Sequence, residues 1–317
     1  MAIARYLGLA EETSYNMETP PAATVHVDIA SASLDSPTDT QMVYEGGLQR
    51  GAQTHRPGFY SPSGNIVYAF DIHTIELLLQ WALGGEEDDV LYGTNSSTLP
   101  SFCARVGKDY FEHVFSGCVI NSLELQVEGE FCQATAEILS AQDSKATLQD
   151  LEALLLPDQY PLAFHEVTAK LNDSPISADV KSFTLSIDNS VDATSGRGIG
   201  SRHPYRMIAE ERSITFSKDM FFKDDSALKS LWGGNSGPDS VDGSDEFSLE
   251  LVFDSGTHGT MEIELPRVIY TQVSQQPSGR NEITQSTNGK AFVESKTIGA
   301  TDVHSEIYVE FNDPPSP

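Results

Sequence analysis

The sequence predicts a mainly β (α+β) protein with two tandem β-sandwich or barrel domains, each flanked by a short helix. Three observations predict this fold: runs of alternating apolar and polar residues, short helical segments that end in Gly-Gly, and a similar order of elements in both halves. The 317 residues suffice for one large core or two ordinary ones. We expect residues 1–24 to form an N-terminal arm, residues 25–157 the first domain and residues 158–317 the second.

Three segments predict helices. Asp71 is a good N-cap for the helix that begins at Ile72, whose apolar residues recur at helical spacing until Gly84-Gly85. A second helix is predicted around Ser226 to Trp232, before another Gly-Gly pair. A third is predicted at Thr147 to Leu155, where Pro157 and Pro161 then mark a domain boundary.

Strands are predicted where apolar and polar residues alternate. Two such runs, Val119 to Val127 and Phe131 to Leu139, surround Glu-Gly-Glu and predict a β-hairpin. The other predicted strands follow the same rule and include Ile66 to Phe70, Ala163 to Leu171, Val180 to Asp188, Ser213 to Ser217, Phe247 to Phe253, Thr260 to Ile269, Ala291 to Val293 and Val303 to Phe311.

The two halves share an order of elements. GNIVYAFDIHTIELLLQWALGG can be laid beside RSITFSKDMFFKDDSALKSLWGG, and NSLELQVEGEFCQATAEILSA beside FSLELVFDSGTHGTMEIELPR. This order predicts an internal duplication. The alternative is that strand, helix and hairpin recur by chance, because this succession is common in α+β folds.

The charge balance is strongly acidic. The chain has 19 Lys and Arg against 47 Asp and Glu, a formal net charge of -28. A tight grip on nucleic acid is therefore not expected, because phosphate binding needs clustered cations. The acidity is compatible with passage of DNA through an acidic channel, and with adaptation to molar salt, where repulsion between carboxylates is screened within about 3 Å.

Membrane insertion and secretion are not predicted. The longest apolar run, Ile75 to Leu83, is shorter than the roughly 20 residues that span a bilayer, and the N-terminus lacks a leader pattern. The three cysteines, Cys103, Cys118 and Cys132, predict buried thiols. Together with His113 they could alternatively hold zinc, although their spacing fits no compact zinc motif.

No catalytic, cofactor-binding or metal-binding residue is predicted. Hydrolase elbows, phosphate loops and dinucleotide fingerprints are missing from the sequence. The glycine-rich run Gly196 to Gly200 lacks the lysine and the following helix of a phosphate site, and the acidic run Asp239 to Glu246 lacks calcium-loop spacing. Trp81 and Trp232 lie on the apolar sides of predicted helices and are expected in the core.

Two loops, one in each half, collect much of the arginine. In an acidic protein, such loops are suited to charge-assisted contacts with the carboxylates of another subunit. Scattered surface charge is the alternative. The candidate subunit and ring contacts are Arg50, His55, Arg56, Arg197, Arg202 and Arg206.

Five segments together resemble siphovirus tail tube proteins, also called major tail proteins. They are ARYLGLAEETSYN, LLLQWALGG, HVFSGCVINSLELQVEGE, PLAFHEVTAKLND and VKSFTLSIDNSV. The resemblance implies tail-tube domains whose sheets join those of neighbouring subunits into a β-barrel channel. It also implies arms and long loops that bridge stacked rings.

The resemblance further implies a structural virion protein of the tail, assembled in the host cytoplasm, through whose rings viral DNA passes. Members with two tandem domains form trimeric rings, so a trimer is favoured over a hexamer. The expected partners are further copies of the chain and the tape measure, terminator and baseplate proteins, with DNA only as cargo. A tail-terminator or baseplate ring protein with the same fold is the alternative, and the acidity suggests a halophilic host.

Overall fold

The computed structural model describes residues 6–27, 31–37, 40–43, 54–150, 160–238, 243–276 and 283–312, with only the backbone for residues 40–43 and 54–56. Within these ranges the chain is mainly β with two α-helices, which confirms the predicted fold class. Neither helix is long and apolar enough to cross a membrane.

The elements before residue 151 contain twelve strands and one helix. They are β1 (Leu7–Glu11), β2 (Val25–Val27), β3 (Ser31–Ala32), β4 (Thr40–Val43), β5 (Thr54–Pro57), β6 (Ser63–Ala69), α1 (Ile72–Leu83), β7 (Gly84–Glu87), β8 (Val90–Gly93), β9 (Phe102–Gly107), β10 (Glu112–Val127), β11 (Gln133–Leu139) and β12 (Gln142–Ala146).

The elements after residue 159 again contain twelve strands and one α-helix. They are β13 (Val167–Leu171), β14 (Ser174–Pro175), β15 (Val180–Asp188), β16 (Val191–Asp192), β17 (Ile208–Ala209), β18 (Ser213–Phe221), α2 (Ser226–Trp232), β19 (Phe247–Asp254), β20 (Thr260–Ser274), β21 (Thr284–Ala291), β22 (Glu294–Ile298), β23 (Thr301–Ser305) and β24 (Tyr308–Asn312). Short 3-10 helices cover Phe164–Glu166, Ser177–Asp179 and Gly256–His258.

Helix α1 forms where its local signals predict. The Asp71 carboxylate accepts a hydrogen bond from the Thr74 backbone N–H at 2.9 Å, and Gly84 ends the helix in the left-handed region at a φ of 73°. The buried face includes Trp81, which stacks on Phe102 with ring centroids 4.3 Å apart. Local chemistry and burial therefore agree at this helix.

The two long strands β10 and β20 each take part in two sheets. An eight-stranded antiparallel sheet runs in the order β3-β6-β11-β10-β15-β18-β21-β20. The first part of β10 joins a five-stranded sheet, β2-β1-β9-β10-β12, and the first part of β20 joins a seven-stranded sheet, β14-β13-β19-β20-β24-β8-β7. The described pairings do not close a barrel within the chain.

The strand pairings of the two halves repeat in the same order. In the first half, β10 pairs with β9, β11 and β12, β11 pairs with β6, and β6 pairs with β3. In the second half, β20 pairs with β19, β21 and β24, β21 pairs with β18, and β18 pairs with β15. In the first half, β1 pairs with β9 and β2 with β1, just as β13 pairs with β19 and β14 with β13 in the second half. The division of the chain at residues 157 and 158 remains a prediction.

The registers fix which residues of the two halves are equivalent. The pairing of β10 with β11 shifts between Ile120 and Ser122, and that of β20 with β21 shifts between Tyr270 and Gln272. These matching bulges make β10 equivalent to β20 and β11 to β21. The sequence comparison that placed NSLELQV beside FSLELVF was therefore displaced by one strand, because FSLELVF is β19, the equivalent of β9.

Several local predictions need correction. Residues 7–11 of the predicted arm form β1, a strand with buried side chains, because β1 pairs with both β2 and β9. Residues 147–150 are not helical, and residues 151–159 lie outside the described residues. The strand predicted at Ala291 to Val293 ends at Ala291, and Trp232 is only half-buried.

Most of the buried apolar side chains of both halves form one continuous core, beside two small separate clusters. It includes Leu7, Trp81 and Leu125 from the first half and Phe216 and Leu251 from the second. The halves are also joined through the β10–β15 pairing and through Asn189, whose side-chain amide donates to Ala82 O at 2.9 Å. The two repeats therefore share their core.

Candidate functional site

One face of the eight-stranded sheet is covered with small polar side chains. Along β15, Phe183, Leu185 and Ile187 point into the core, so Thr184 and Ser186 between them point away from it. The same alternation continues across the sheet. A shallow cavity of about 640 Å³ on this face is lined by Glu124, Thr184, Ser186, Thr215, Phe216, Ser217, Thr271, Asn288 and Gly289.

Charged groups also lie on this polar face, among them Glu124, Glu137, Asp188 and Asp219, but only on the seven-stranded sheet do carboxylates lie directly opposite one another in the described registers. Glu250 lies opposite Glu264 in the register of β19 with β20, and Glu262 lies opposite Glu310 in that of β20 with β24. Burial, followed by repulsion from Glu250, raises the pKa of Glu262. The two sheets therefore present different chemistry: hydroxyl and amide groups with scattered charges on one, and opposed carboxylates with their paired lysines on the other.

The eight-stranded sheet ends in open edges. At one end β3 pairs only with β6, and at the other end the last part of β20 pairs only with β21, as far as the described residues go. Such edges expose unpaired backbone N–H and C=O groups that can pair with another chain. They are candidate contacts that the residue patterns of the sequence alone did not locate.

Three of the six predicted contact residues have described side chains. Arg50 lies outside the described residues, while His55 and Arg56 lie in β5 with only their backbone described. Arg197, Arg202 and Arg206 lie in the connection between β16 and β17. The structure thus places the described arginines in one loop of the second half.

Arg197 and Arg202 bind the first half of the same chain. The Arg202 guanidinium donates to Gly58 O at 3.0 Å, and the backbone carbonyl of Arg202 accepts from Tyr60 N–H at 3.0 Å. Arg197 lies over the Phe59 ring at 4.5 Å and donates to Arg202 O at 2.9 Å. These two arginines therefore join the connection between β16 and β17 to residues 58–60, which precede β6, within one chain.

Arg206 and its surroundings remain exposed. The same loop exposes Tyr205 at 63% and Ile199 at 106%, and Phe59 beside it is 66% exposed. Aromatic and arginine side chains are among the types enriched at the centres of protein interfaces. This part of the loop is therefore suited to contact another protein.

A buried carboxylate holds both ends of the connection between β3 and β6. Asp143 accepts hydrogen bonds from the hydroxyls of Ser36 and Tyr60, the latter at 2.6 Å, and lies 2.7 Å from His113 Nε2. Burial raises the pKa of Asp143, but these hydrogen bonds outweigh it, so that the pKa lies below its ordinary value. No sequence signal predicts this cluster, because its four members are distant in the chain.

The Asp143 cluster contains the residue types of a hydrolytic triad without its geometry. The Ser36 hydroxyl donates to Asp143 and not to His113, and the other ring nitrogen of His113 lies 3.1 Å from Lys108 Nζ. A nucleophile needs a base within hydrogen-bond reach. The cluster therefore anchors the loop and does not form a nucleophile–base pair.

All three cysteines are free and buried, as predicted. Burial raises the pKa of Cys103 and that of Cys132 to about 12, and it raises the pKa of Cys118 as well. The described residues contain no group of three or more His, Cys, Asp or Glu arranged to hold a metal ion.

An open-edged sheet with one apolar and one polar face, in a chain whose described polar clusters hold loops in place, is suited to a structural protein that assembles through its surfaces. The profile of the phage tail tube protein family matches residues 3–291. The chain belongs to this family, and it is accordingly a structural component of the virion tail. No curated protein matches the chain.

Proposed function

We propose that copies of this chain close into rings through the open edges of the eight-stranded sheet and that the rings stack into the tube of a siphovirus tail. The observation that carries this proposal is the sheet itself. Its apolar face is covered by the core, its other face is polar, and its two end strands are open among the described residues. Ring closure would satisfy both edges of this sheet.

Viral DNA passes through the channel that the polar face lines. Hydroxyl and amide side chains such as Thr184, Ser186 and Ser217 offer DNA no cluster of cations. Glu124 adds negative charge to this face, which repels the phosphate backbone. The DNA therefore meets a wet surface to which it does not adhere. The opposed carboxylates of the seven-stranded sheet would face away from the channel.

Three copies close one ring, since each chain supplies two repeats, and the tube meets tape measure, terminator and baseplate proteins at its ends. Assembly takes place in the host cytoplasm. The net charge of -28 supports a halophilic host. Repulsion between such subunits is screened only at high ionic strength.

Electron microscopy of the purified protein at molar and at low salt tests this proposal. We expect long tubes of uniform bore at molar salt and fewer or shorter tubes at low salt. Single rings that never stack would favour a terminator or baseplate ring protein. Monomers in every condition would contradict both functions.

Labelling of single cysteines tests which face lines the channel. A cysteine at Ser217, on the polar face, should react with a bulky polyethylene glycol maleimide in monomers but not in tubes. A cysteine at Glu310, exposed on the seven-stranded sheet, should react in both. Equal reaction of the Ser217→Cys variant in monomers and tubes would place this face outside the channel. The native thiols are buried and provide a low background.

A further inference from the structure

The junction between the two halves is a direct strand pairing with a defined register. After its bulge, β10 pairs antiparallel with β15, so that Leu123 lies opposite Ile187, Glu124 opposite Ser186 and Gln126 opposite Thr184. Before the bulge, β10 pairs on that same side with β9, up to Cys118 opposite Phe102. The edge of β10 thus changes partner from its own repeat to the next one.

The second half reproduces the pairing before the bulge, but after the bulge the corresponding edge has no partner among the described residues. Its long strand β20 pairs with β19 up to Val268 opposite Phe247, and its bulge follows between Tyr270 and Gln272. Beyond the bulge, this edge of β20 has no partner strand among the described residues. The equivalent stretch of β10 is the one that pairs with β15.

The partner that this edge requires is present at the other end of the sheet. In the second half β15 lies beside β18, with Ser186 opposite Thr215. In the first half β3 lies beside β6 in the matching position, and its continuation places Asp35 opposite Ser63. Residues 31–36 are therefore the first-half equivalent of the strand that β10 binds.

We propose that residues 272–276 of one copy pair antiparallel with residues 33–37 of a second copy, in the register by which β10 pairs with β15. This inference rests on the proposed ring assembly and specifies its contact. Ser274 then lies opposite Asp35 of the second copy, and Gln276 opposite Ser33. Pro37 falls at the end of the paired segment, where a residue without an N–H group is tolerated.

A groove beside this edge supports the same partner. In the first half, the loop that carries Arg202 and His203 rests on residues 58–60 and on Ala141, whose carbonyl lies 3.0 Å from His203 Nδ1. The equivalent segments of the second half, Glu210 to Arg212 and Ala291 to Val293, line an open cavity of about 420 Å³. The same groove is thus filled in one repeat and open in the other.

The occupant of the open groove is the connection between β3 and β6 of the second copy. In the first half, the groove is filled by the connection between β15 and β18. The connection between β3 and β6 is the equivalent of that connection, and its sequence contains Arg50, His55 and Arg56. The groove presents Glu210 and Glu211, while Arg212 is already paired with Glu306 at 2.7 Å. Lys290 also lines the groove, but Glu210 and Glu211 outnumber it, so the groove suits the cationic sequence of this connection.

Pairs of engineered cysteines test the register. Ser33 and Asp35 bond with β6 through their backbone N–H groups, so opposite their new partners they occupy non-hydrogen-bonded positions, with Cα atoms about 4.5 Å apart. This separation suits a disulfide. We expect S33C/Q276C and D35C/S274C tubes, treated with copper phenanthroline, to form intermolecular disulfides. The off-register pair S33C/S274C should cross-link at least tenfold less.

The junction within the chain supplies a matched control. The pair Q126C/T184C has the equivalent register inside one copy and should close an intramolecular disulfide under the same conditions. Because each cross-linked copy joins two neighbours, the ladder of bands on a denaturing gel should end at the trimer.

The outcomes separate this inference from the proposed function. Tubes in which Q126C/T184C closes but neither in-register pair cross-links, or in which S33C/S274C cross-links best, would overturn the register and leave the tube function standing. Failure of the unsubstituted protein to form rings or tubes would contradict the proposed function and remove the basis of the inference.

A charge reversal, E210K/E211K, tests the groove. It should shorten the tubes, whereas E128K/E130K on an exposed turn should not.

Discussion

The two repeats share a strand order but differ in the chemistry of their interiors. Three inward positions are apolar in the first repeat and polar in the second: Ile66, Ala134 and Ala136 correspond to Lys218, Gln285 and Thr287. All six are buried. Lys218 is 3% exposed, and its ammonium donates to Tyr270 OH at 2.9 Å. A common set of backbone pairings therefore tolerates opposite side-chain chemistry, at a cost in stability that can be measured.

The helix of the first repeat is also better capped and more deeply buried than the helix of the second. Helix α1 has an N-cap side-chain bond and buries Trp81, whereas α2 is shorter, lacks an N-cap side-chain bond and leaves Trp232 half-buried. We infer that the first repeat is the more stable part of the chain. The following variants test this difference in order of expected effect.

Removal of the tryptophans should give the largest difference. Trp81→Ala deletes a buried side chain that stacks on Phe102, and we expect it to lower the free energy of unfolding by about 3–5 kcal/mol. Trp232→Ala, the matched variant in α2, should cost only about 1 kcal/mol because its side chain is already partly exposed to water. Urea unfolding at molar salt measures both values, and equal losses would contradict the difference between the repeats.

Replacement of the buried lysine should stabilise the protein. Burial lowers the pKa of Lys218 to about 8 from 10.5. Below pH 8 the ammonium is charged in both states, and its burial costs about 3 kcal/mol. Between about pH 8 and 10.5 the folded protein has lost a proton that the unfolded chain keeps, so the cost falls as the pH rises. Lys218→Met removes this cost but also removes the partner of the Tyr270 hydroxyl, a loss of about 1–3 kcal/mol. The variant should therefore gain stability at pH 7, by at most about 3 kcal/mol, and should lose that gain as the pH rises to 10.5.

The control for this variant is Lys229→Met on α2, where the side chain is 39% exposed. It should change the stability by less than about 0.5 kcal/mol at either pH. Chemical unfolding at a series of pH values makes the comparison. A Lys218→Met protein that is less stable than the unsubstituted one at pH 7 would show that the ammonium is stabilised by its surroundings.

Loss of the Asp143 carboxylate should release the connection between β3 and β6. Asp143→Ala leaves the hydroxyls of Ser36 and Tyr60 without their acceptor, and we expect a loss of about 1–3 kcal/mol together with faster hydrogen exchange at residues 58–60. The matched position in the second repeat is Glu294, an exposed residue, and Glu294→Ala should have little effect. Unchanged exchange in Asp143→Ala would refute the anchoring role.

The helix caps should give the smallest difference. Asp71→Ala removes the bond to the Thr74 N–H and should cost about 1 kcal/mol. Asp225→Ala at the start of α2 should cost less, since Asp225 makes no side-chain cap bond and its exposed ion pair with Lys229 contributes about 0.3–0.5 kcal/mol. Thermal unfolding at one salt concentration resolves this difference. A larger loss for Asp225→Ala would mean that α2 is capped in solution.

The sequence predicted elements whose signals are local. Helix α1 formed between Asp71 and Gly84, and β15 and α2 have the predicted bounds, since capping residues and alternation decide these elements within a few residues. Strand β21 was missed, because its inward positions hold Gln285, Thr287 and Gly289 and show no apolar alternation. Its sheet neighbours β18 and β20 fix it as a strand.

The candidate site was predicted in part. The arginine content of the loops was visible in the sequence, but not that Arg197 and Arg202 bind residues 58–60 of the same chain. The polar face, the open edges and the groove depend on which strands are neighbours. That information is carried by long-range pairing, for which a single sequence gives no spacing rule.

A reconstruction of the assembled tube by electron cryomicroscopy tests the central claim most directly. We expect one continuous barrel in which residues 272–276 of each copy lie beside residues 33–37 of the next, with Thr184, Ser186 and Ser217 facing the channel. A tube whose channel is lined by the seven-stranded sheet, or whose copies meet without pairing of these two edges, would contradict it.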